Sequence, residues 1–594
     1  MLALKQDGYS TCFFVGGGNS MHLLESASRL FECVPVVHEV TAAIAAEYFN
    51  QSAKGKNRAF VLVTAGPGLT NLITGIAGAW LDSRELLVIG GQAKSTNLAK
   101  GTVRQIGHQE IDGVSITKSI TKVAQTLEQP VNQDLIHELI SQSWSERPGP
   151  VFIEVCLDVS AMEYKEAPSL QKIELEKNTN ISNFEWNAEV IDLLKNSKRP
   201  LLLLGGGVSR DAAKKLQAQA KENLIPIACT WTGADRCGFD YPYYAGRPNT
   251  YGMRWANIFQ QQCDLIIAIG TSLGFQQTGF NTGEYAPNAK IIHVDIDKAE
   301  LNKPNPKKRF TIQSESTLFI SDFIKILREL NKKYSEGINL LEKIRANIPV
   351  IEECQKSDSS YLSPYLVINR ISQMAEAHDS VVAASSGGTF TATMQAFENK
   401  NEQILIGNKG LASMGYGLGG AIGIAIEKKG SKGKTILFEG DGGFAQNLQE
   451  LGTVVANNLN LKMFIICNDG YASIRTSQKT YFNGHYIGCD TATGLSLPNW
   501  EKIAEAFGIP VIKLTKSDFM NDKFMKLWNS ESSCIFLIMA DPNQMYLPKI
   551  MSKFSKDGSM VSRPLHDMYP KLQKEIEIEV FQYLPENLMP TNFE

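Results

Sequence analysis

Long apolar runs are missing from this 594-residue sequence: none approaches the roughly 18 residues that a membrane-spanning helix needs, and the N-terminus lacks the basic-then-apolar pattern of a signal peptide. Cysteine is sparse, ten residues scattered singly with no Cys-x-x-Cys pair, which argues against a zinc site or a thioredoxin-like motif. Together these absences predict a cytoplasmic protein with reduced thiols. An excess of one charge is missing too. Lys and Arg number 59 and Asp and Glu 62, a net charge of -3, so neither nucleic acid nor a membrane surface is an expected partner. The rest is ordinary globular composition, 43% hydrophobic and 20% charged, on a chain too long for one core; two to four domains and small-molecule ligands are expected.

Short apolar runs, most of them ending in glycine, alternate with helix-like segments: "STCFFVGGG", "RAFVLVTAGPG", "PLLLLGGG", "DLIIAIG", "KIIHVDID" and "KMFIICNDG". Fully apolar strands separated by helices predict parallel sheets in α/β domains. Two composition shifts break the series, a charged stretch from Glu163 to Glu185 and a Lys/Glu-rich, helix-like one from about Lys332 to Ser359. The expected architecture is three doubly wound α/β domains with mostly parallel sheets, at 1–165, 186–335 and 360–548. A tail at 549–594 follows, loop-like at "SKDGSMVSRP" and helix-like beyond it.

The stretch "FEGDGGFAQNLQELGTVVANNLNLKMFIICNDGYASIR", Phe438 to Arg475, carries the chemistry. "KTILF" reads as a buried strand, Glu439-Gly440-Asp441-Gly442-Gly443 as the turn after it, and Phe444 to Asn458 as a helix with Leu448, Leu451, Val454 and Val455 on one face. "MFIIC" is the next strand and Asn468-Asp469-Gly470 its turn. A right-handed βαβ crossover brings both turns to the carboxyl edge of one sheet, where ligands bind in such folds. Asp441 offers a hard anionic oxygen, Asn468 a neutral one and the backbone near Gly470 a third, while Mg2+ takes a few oxygens from protein and completes its shell with water and phosphate. Glycines and the helix start at Phe444 suit a diphosphate. Gly-Asp-Gly alone is weak, because both residues are common in turns. The interval of 27 positions from Asp441 to Asn468, filled by a helix and a strand, adds the weight.

With that spacing the sequence resembles the thiamine-diphosphate enzymes, and in further segments their acetolactate-synthase-like branch. The resemblance implies thiamine diphosphate and Mg2+ as cofactors, with Asp441, Asn468 and Gly470 on the metal and Gly440, Gly442, Gly443, Tyr471 and Ala472 around the cofactor. "VPVVHEVTAAIAAEYF" resembles the segment that supplies the catalytic glutamate, here Glu39, whose bland reading is an acid at a helix start. "VTAGPGLTNLITGIAGAWLDSRELLVIGGQ" is similar to the loop and helix that follow it, with Pro67 near the cofactor, as Gly17 is expected to be from the preceding strand. "VRQIGHQEID" resembles the segment that gives a Gln and a Glu to the active site, here Gln109 and Glu110. His108 stands where the family carries Phe, either as an acid or base or simply hydrogen-bonded in place. "NKGLASMGYGLGGAIG" resembles the segment whose Met supports the bent cofactor, here Met414, and the resemblance implies that "SSGGTF" sets Gly387, Gly388 and Thr389 over the diphosphate. Since Glu39 lies in the first domain and the diphosphate site in the third, the resemblance implies a homodimer or homotetramer whose active sites are shared between chains.

Two departures matter. The middle domain resembles one that binds FAD, which makes FAD a candidate cofactor with Gly205, Gly206, Gly207, Gly252, Met253, Arg254, Gly270 and Asp295 as candidate contacts. However, "GTSLGFQQTGFN" from Gly270 lacks the arginines the family carries there, and losing such cations is not a conservative change. The family's Gly-Met-Val and Gln-Trp after the metal Asn are replaced by "GYASIRTSQKTYFNGHYIG", where Arg475, Gln478 and Lys479 could add polar reach; Lys479 reads as a solvated surface residue. The resemblance implies a decarboxylase and carboligase that moves an acetyl-type unit from a 2-oxo acid such as pyruvate to a second carbonyl, of a 2-oxo acid or a keto sugar. The alternatives are another thiamine-diphosphate reaction, such as simple decarboxylation or cyclic dione cleavage, and a non-catalytic regulatory homologue. The last would predict loss of Glu39 or Asp441, and both are present.

Overall fold

The computed structural model describes residues 1–53, 55, 57–163, 186–306, 309–357, 360–554 and 560–590. The charged stretch expected to part the first two domains lies, after Glu163, outside them. The apolar runs become strands of three separate sheets. The first holds β1 (Tyr9–Phe14), β2 (Glu32–Pro35), β3 (Arg58–Val63), β4 (Leu86–Gln92), β5 (Val123–Leu127) and β6 (Pro150–Cys156) in the order β2-β1-β3-β4-β6-β5. The second holds β7 (Pro200–Leu204), β8 (Ile227–Cys229), β9 (Leu265–Ile269), β10 (Lys290–Asp295) and β11 (Arg309–Gln313) in the order β11-β10-β9-β7-β8. The third holds β12 (Ser380–Ala383), β13 (Ile404–Ile406), β14 (Thr435–Gly440), β15 (Leu461–Cys467), β16 (Val511–Leu514) and β17 (Cys534–Met539) in the order β13-β12-β14-β15-β17-β16. The pairs within these sheets are parallel, as the uninterrupted apolar runs require when helices cover both faces.

Each sheet winds outward from its first strand in both directions, which leaves a crevice at the carboxyl ends of two neighbouring strands where the direction reverses. In the second sheet that crevice lies between β7 and β9, and the chains come so close that a Cβ on Gly205 would overlap the carbonyl of Gly270. In the third it lies between β12 and β14, which places the turns at Ser385–Gly388 and Gly440–Gly443 side by side.

First and third domains share one core. The helix Glu39–Ala53 packs across the helix Tyr416–Glu427, and a Cβ on Gly423 would overlap the backbone of Ala45. Beside this crossing Glu47 is fully buried. Its carboxylate takes hydrogen bonds from Arg84 Nη1 at 2.7 Å, Tyr416 Oη at 2.9 Å and Asn408 Nδ2 at 3.2 Å, so the buried charge is paired as its desolvation demands. The tail wraps the second domain. Its strands are short antiparallel pairs, Lys549–Ile550 with Met568–Tyr569 and Ser552–Phe554 with Met560–Ser562, and the helix Lys574–Val580 follows. Gln262 Nε2 donates to the carbonyl of Val580, while its Oε1 accepts from the amides of Gln582 and Tyr583.

One expected helix is broken. The segment starts earlier than expected, at Asp441 directly after β14, and divides into a single α-helical turn at Asp441–Phe444, a 3-10 segment at Ala445–Glu450 and a helix at Leu451–Ala456. Asn447, at the kink with φ -132°, donates through Nδ2 to the carbonyl of Gly415 at 2.7 Å, and that long-range bond draws the backbone out of helical register.

Two outcomes are expected from this packing. Gly423→Ala forces the two crossing helices apart and should destabilise the protein by about 1–3 kcal/mol, the usual range for overpacking, read as a lowered thermal midpoint. Glu154 on β6 is buried, accepting from Thr126 Oγ1 at 2.7 Å and Gln92 Nε2 at 3.1 Å, and desolvation pushes its pKa up to about 7. A raised acid pKa gives stability that is full below the unfolded value, about 4.3, and is lost as pH rises through the folded one. Glu154→Gln should therefore flatten the fall in thermal midpoint between pH 5 and 7 relative to the unaltered protein.

Candidate functional site

The third-domain site is built around one carboxylate. Asp441, 3% exposed, follows β14 and accepts three backbone N–H bonds: from Gly442 at 2.8 Å, Asn468 at 3.0 Å and Gly470 at 3.3 Å. It thereby ties the turn after β14 to the turn after β15. Burial raises its pKa to about 6, against the pull of those three amides. A carboxylate so desolvated, with amide donors but no side-chain cation bonded to it among the described residues, is suited to a metal ion. No group of three or more His, Cys, Asp or Glu gathers among the described residues. That fits Mg2+, which draws much of its shell from phosphate and water, better than a transition metal.

The surroundings suit a diphosphate. The ten-residue helix Gly387–Ala396 starts at this edge, with Gly387 at φ +75° and Thr389 buried where Oγ1 faces Gly440. Such an N-terminus presents free amides and a favourable dipole. Gly442 lies under the ring of Tyr471, and Gly443 abuts Glu439, fully buried, whose desolvation raises its pKa to about 8. Met414, 37% exposed, precedes the helix Tyr416–Glu427 beside the Asn447 contact. Ala472 begins the helix Ala472–Tyr481.

The first-domain residues form a second group. Glu39, the first residue of its helix, accepts from Asn71 Nδ2 at 2.8 Å, and Asn71 ends the short helix that begins at Pro67. Asn19 Nδ2 donates to the carbonyl of His108, and Gln109, at φ +57°, lays its carbonyl against Gly66. Gly17 packs on Thr64. Thus Gly17, Glu39, Pro67, His108 and Gln109 meet at one corner, whereas Glu110 turns away: its carboxylate takes the amides of Ala99, Ile106 and Gly107 and organises its own loop. Glu450 accepts from the amides of Val37 and His38, anchoring the approach to Glu39 on the third domain. Among the described residues no hydrogen bond joins the side chains of Glu39, His108 or Gln109 to the Asp441 turns.

Two expectations shift. Arg475 is not available to a substrate, since its guanidinium is committed to the carbonyls of Asn468, Asp469 and Pro542 and to Asp490; Gln478 pairs with both backbone groups of Ile487. Sequence reasoning also missed Tyr546, whose hydroxyl accepts from Asn468 Nδ2 at 3.1 Å. It sits 78 positions from Asn468 in a loop with no periodic pattern, so only the fold brings it there.

A cleft of about 970 Å³ opens over the β7/β9 crevice of the second domain, lined by its Gly206, Gly207, Gly270 and Asp295 together with first-domain residues such as Arg84 and the third domain's Lys409. Gly205 lies beneath it. Gly252, Met253 and Arg254 are not part of its wall; Arg254 instead bonds Glu352 at 2.8 Å and the carbonyl of Met568. Arg210 and Arg236, which do line it, are paired with Asp235.

Comparison with known proteins agrees with this geometry. Residues 1–116 match the model of the thiamine pyrophosphate enzyme N-terminal TPP binding domain, 187–322 that of the central domain and 385–537 that of the C-terminal TPP binding domain. The chain is 32% identical over 530 residues to the acetolactate synthase large subunit of Cyanidium caldarium, covering 84% of each chain. It is 28% identical to the acetolactate synthase isozyme 2 large subunit of Escherichia coli (strain K12), over 92% of this chain and 96% of that one. The acetolactate synthase large subunit of Lactococcus lactis is likewise 28% identical, over 93% and 94%. With three successive domain matches laid over the three sheets, and such relatives along most of its length, the chain belongs to the thiamine-diphosphate-dependent enzymes of the acetolactate-synthase-like family.

Proposed function

We propose that the chain is a Mg2+- and thiamine-diphosphate-dependent decarboxylase and carboligase, which takes a 2-oxo acid such as pyruvate and passes its acyl unit to a second carbonyl, of a 2-oxo acid or a keto sugar. The observation that carries this reading is the Asp441 knot, a buried carboxylate with amide donors, placed beside a helix N-terminus on a chain of this family. When bound, the cofactor supplies an electron sink for the loss of CO2; the protein supplies orientation and proton management. Asp441, Asn468 and the carbonyl of Gly470 would hold the cation. Gly387, Gly388, Thr389, Gly440, Gly442 and Gly443 would face the diphosphate, with Tyr471 and Ala472 closing that end and Met414 supporting the rings. Glu39, held in place by Asn71, would exchange a proton with the cofactor's aminopyrimidine. Gln109 and His108 would border the substrate.

Within one chain the Glu39 corner and the Asp441 turns are half-sites, each bordered by exposed apolar side chains: Val37, Val103 and Ile106 near the first and Met414 and Ile474 near the second. Such apolar exposure beside functional groups supports a homodimer or homotetramer in which two chains complete each site. The central cleft is the proposed place for FAD, supported by the close approach of Gly205 and Gly270 and by Gly206, Gly207 and Asp295 in its wall. No described helix is long and apolar enough to cross a membrane, and the reading places the enzyme in the cytoplasm.

Replacing the proposed proton-exchanging group tests the mechanism: Glu39→Gln should lower turnover by about 10²–10⁴-fold while thiamine diphosphate still binds, and full activity in this variant would sink the assignment. Incubating the holoenzyme with pyruvate and following CO2 and products by mass spectrometry tests the substrates. Carbon–carbon bond formation to an added 2-oxo acid or keto sugar is expected; release of acetaldehyde alone would favour simple decarboxylation.

A further inference from the structure

Two side chains outside this proposed chemistry grip the metal loop from opposite sides. Arg475 is buried on the helix Ala472–Tyr481. Its Nη1 donates to the carbonyls of Asn468 at 3.2 Å and Pro542 at 2.8 Å, its Nη2 to that of Asp469 at 2.6 Å, and its Nε to the carboxylate of Asp490 at 3.2 Å. Tyr546 accepts from Asn468 Nδ2, and its ring lies so close over Gly388 that a Cβ there would overlap it. The tyrosine therefore touches both the metal loop and the proposed diphosphate turn.

A guanidinium placed beside a dication site calls for a reason, because like charges repel across a desolvated gap. Asp490 offsets the charge. The donors solve a problem of choice: Asn468, Asp469 and Gly470 offer three successive carbonyls, all hard oxygens of similar donor strength. Arg475 occupies the first two, while that of Gly470 accepts, among the described residues, only a 3.1 Å bond from Ala472 N and keeps a lone pair. The Asn468 side chain poses the same problem, since its oxygen and nitrogen ends have nearly the same shape. With Nδ2 held by the tyrosine hydroxyl, Oδ1 is the end left for a cation.

We propose that Arg475 and Tyr546 are positioning residues that preset which oxygens of the Asn468–Gly470 loop face Mg2+, and that Tyr546 links that loop to the diphosphate turn at Gly388. The inference rests on the Mg-diphosphate reading of the Asp441 site. Neither residue touches the reacting atoms; Arg475 acts through the carbonyls of Asn468 and Asp469, and Tyr546 through the side chain of Asn468.

The test is calorimetric titration of Mg2+ into cofactor-free protein at saturating thiamine diphosphate, comparing the unaltered chain with Tyr546→Phe and Arg475→Lys. Tyr546→Phe keeps the ring over Gly388 and removes only the hydroxyl; Arg475→Lys keeps the charge and loses the planar fork. Loss of such outer contacts usually weakens metal binding about 10–100-fold, so both variants should need at least tenfold more Mg2+, with the thermal midpoint of the cofactor-free protein unchanged for Tyr546→Phe. An Mg2+ requirement within twofold of the unaltered chain in Tyr546→Phe would overturn the proposal, whether or not Arg475→Lys folds. If the unaltered chain binds thiamine diphosphate equally well without Mg2+, the metal reading fails first and this inference with it.

Discussion

The site depends on a single carboxylate bonded to three amides. Asp441 closes the turn after β14 onto the turn after β15, and its burial makes the closure costly without a cation, as its raised pKa records. Strands of one parallel sheet bring the two turns within reach. The carboxylate then decides their relative position to within a hydrogen bond. Glycines on both turns let backbone and the Tyr471 ring approach where side chains would collide.

Around this knot the three domains repeat one topological device. Each sheet reverses direction next to its first strand, and each crevice so formed is bordered by glycine-bearing turns: Gly17 against Thr64, Gly205 against Gly270, and Gly440 against Thr389. The crevices carry different furniture. The first offers Glu39 and the His108–Gln109 loop, the second a large cleft whose arginines are already paired, the third the Asp441 knot. The crossing of the Glu39 and Tyr416 helices, bridged by Tyr416 and Asn408 donating to the buried Glu47 and by Arg84 donating to the carbonyl of Gly407, makes first and third domains one body, so the Glu39 corner has a fixed bearing relative to the third-domain sheet.

Much of the fold could be read from the chain because the apolar runs are uninterrupted and end in turn residues, so they specify parallel strands without help from distant contacts. The Asp441–Asn468 interval was legible for the same reason: a helical segment, though broken, and one strand fill it, and their combined length is a local property. The kink at Asn447 was not legible, because it depends on a hydrogen bond to Gly415, 32 positions away. Arg475 looked available for substrate because its segment replaces the one that lines the acceptor pocket in the resembling family. The carbonyls of Asn468, Asp469 and Pro542 take its donors instead.

By itself the sequence determined which segments form strands, which turns carry glycine and acid, and the family to which these motifs belong. All of these follow from residue type and spacing along the chain. Tertiary structure alone decided that Tyr546 reaches Asn468, that Glu110 serves its own loop, that Arg254 turns from the central cleft to Glu352, and that the tail binds the second domain. Each of those outcomes is a polar group finding its partner across a long sequence separation or within an irregular loop. The physical reason is that a buried donor or acceptor must be satisfied, and which group satisfies it is set by packing in space rather than by order along the chain.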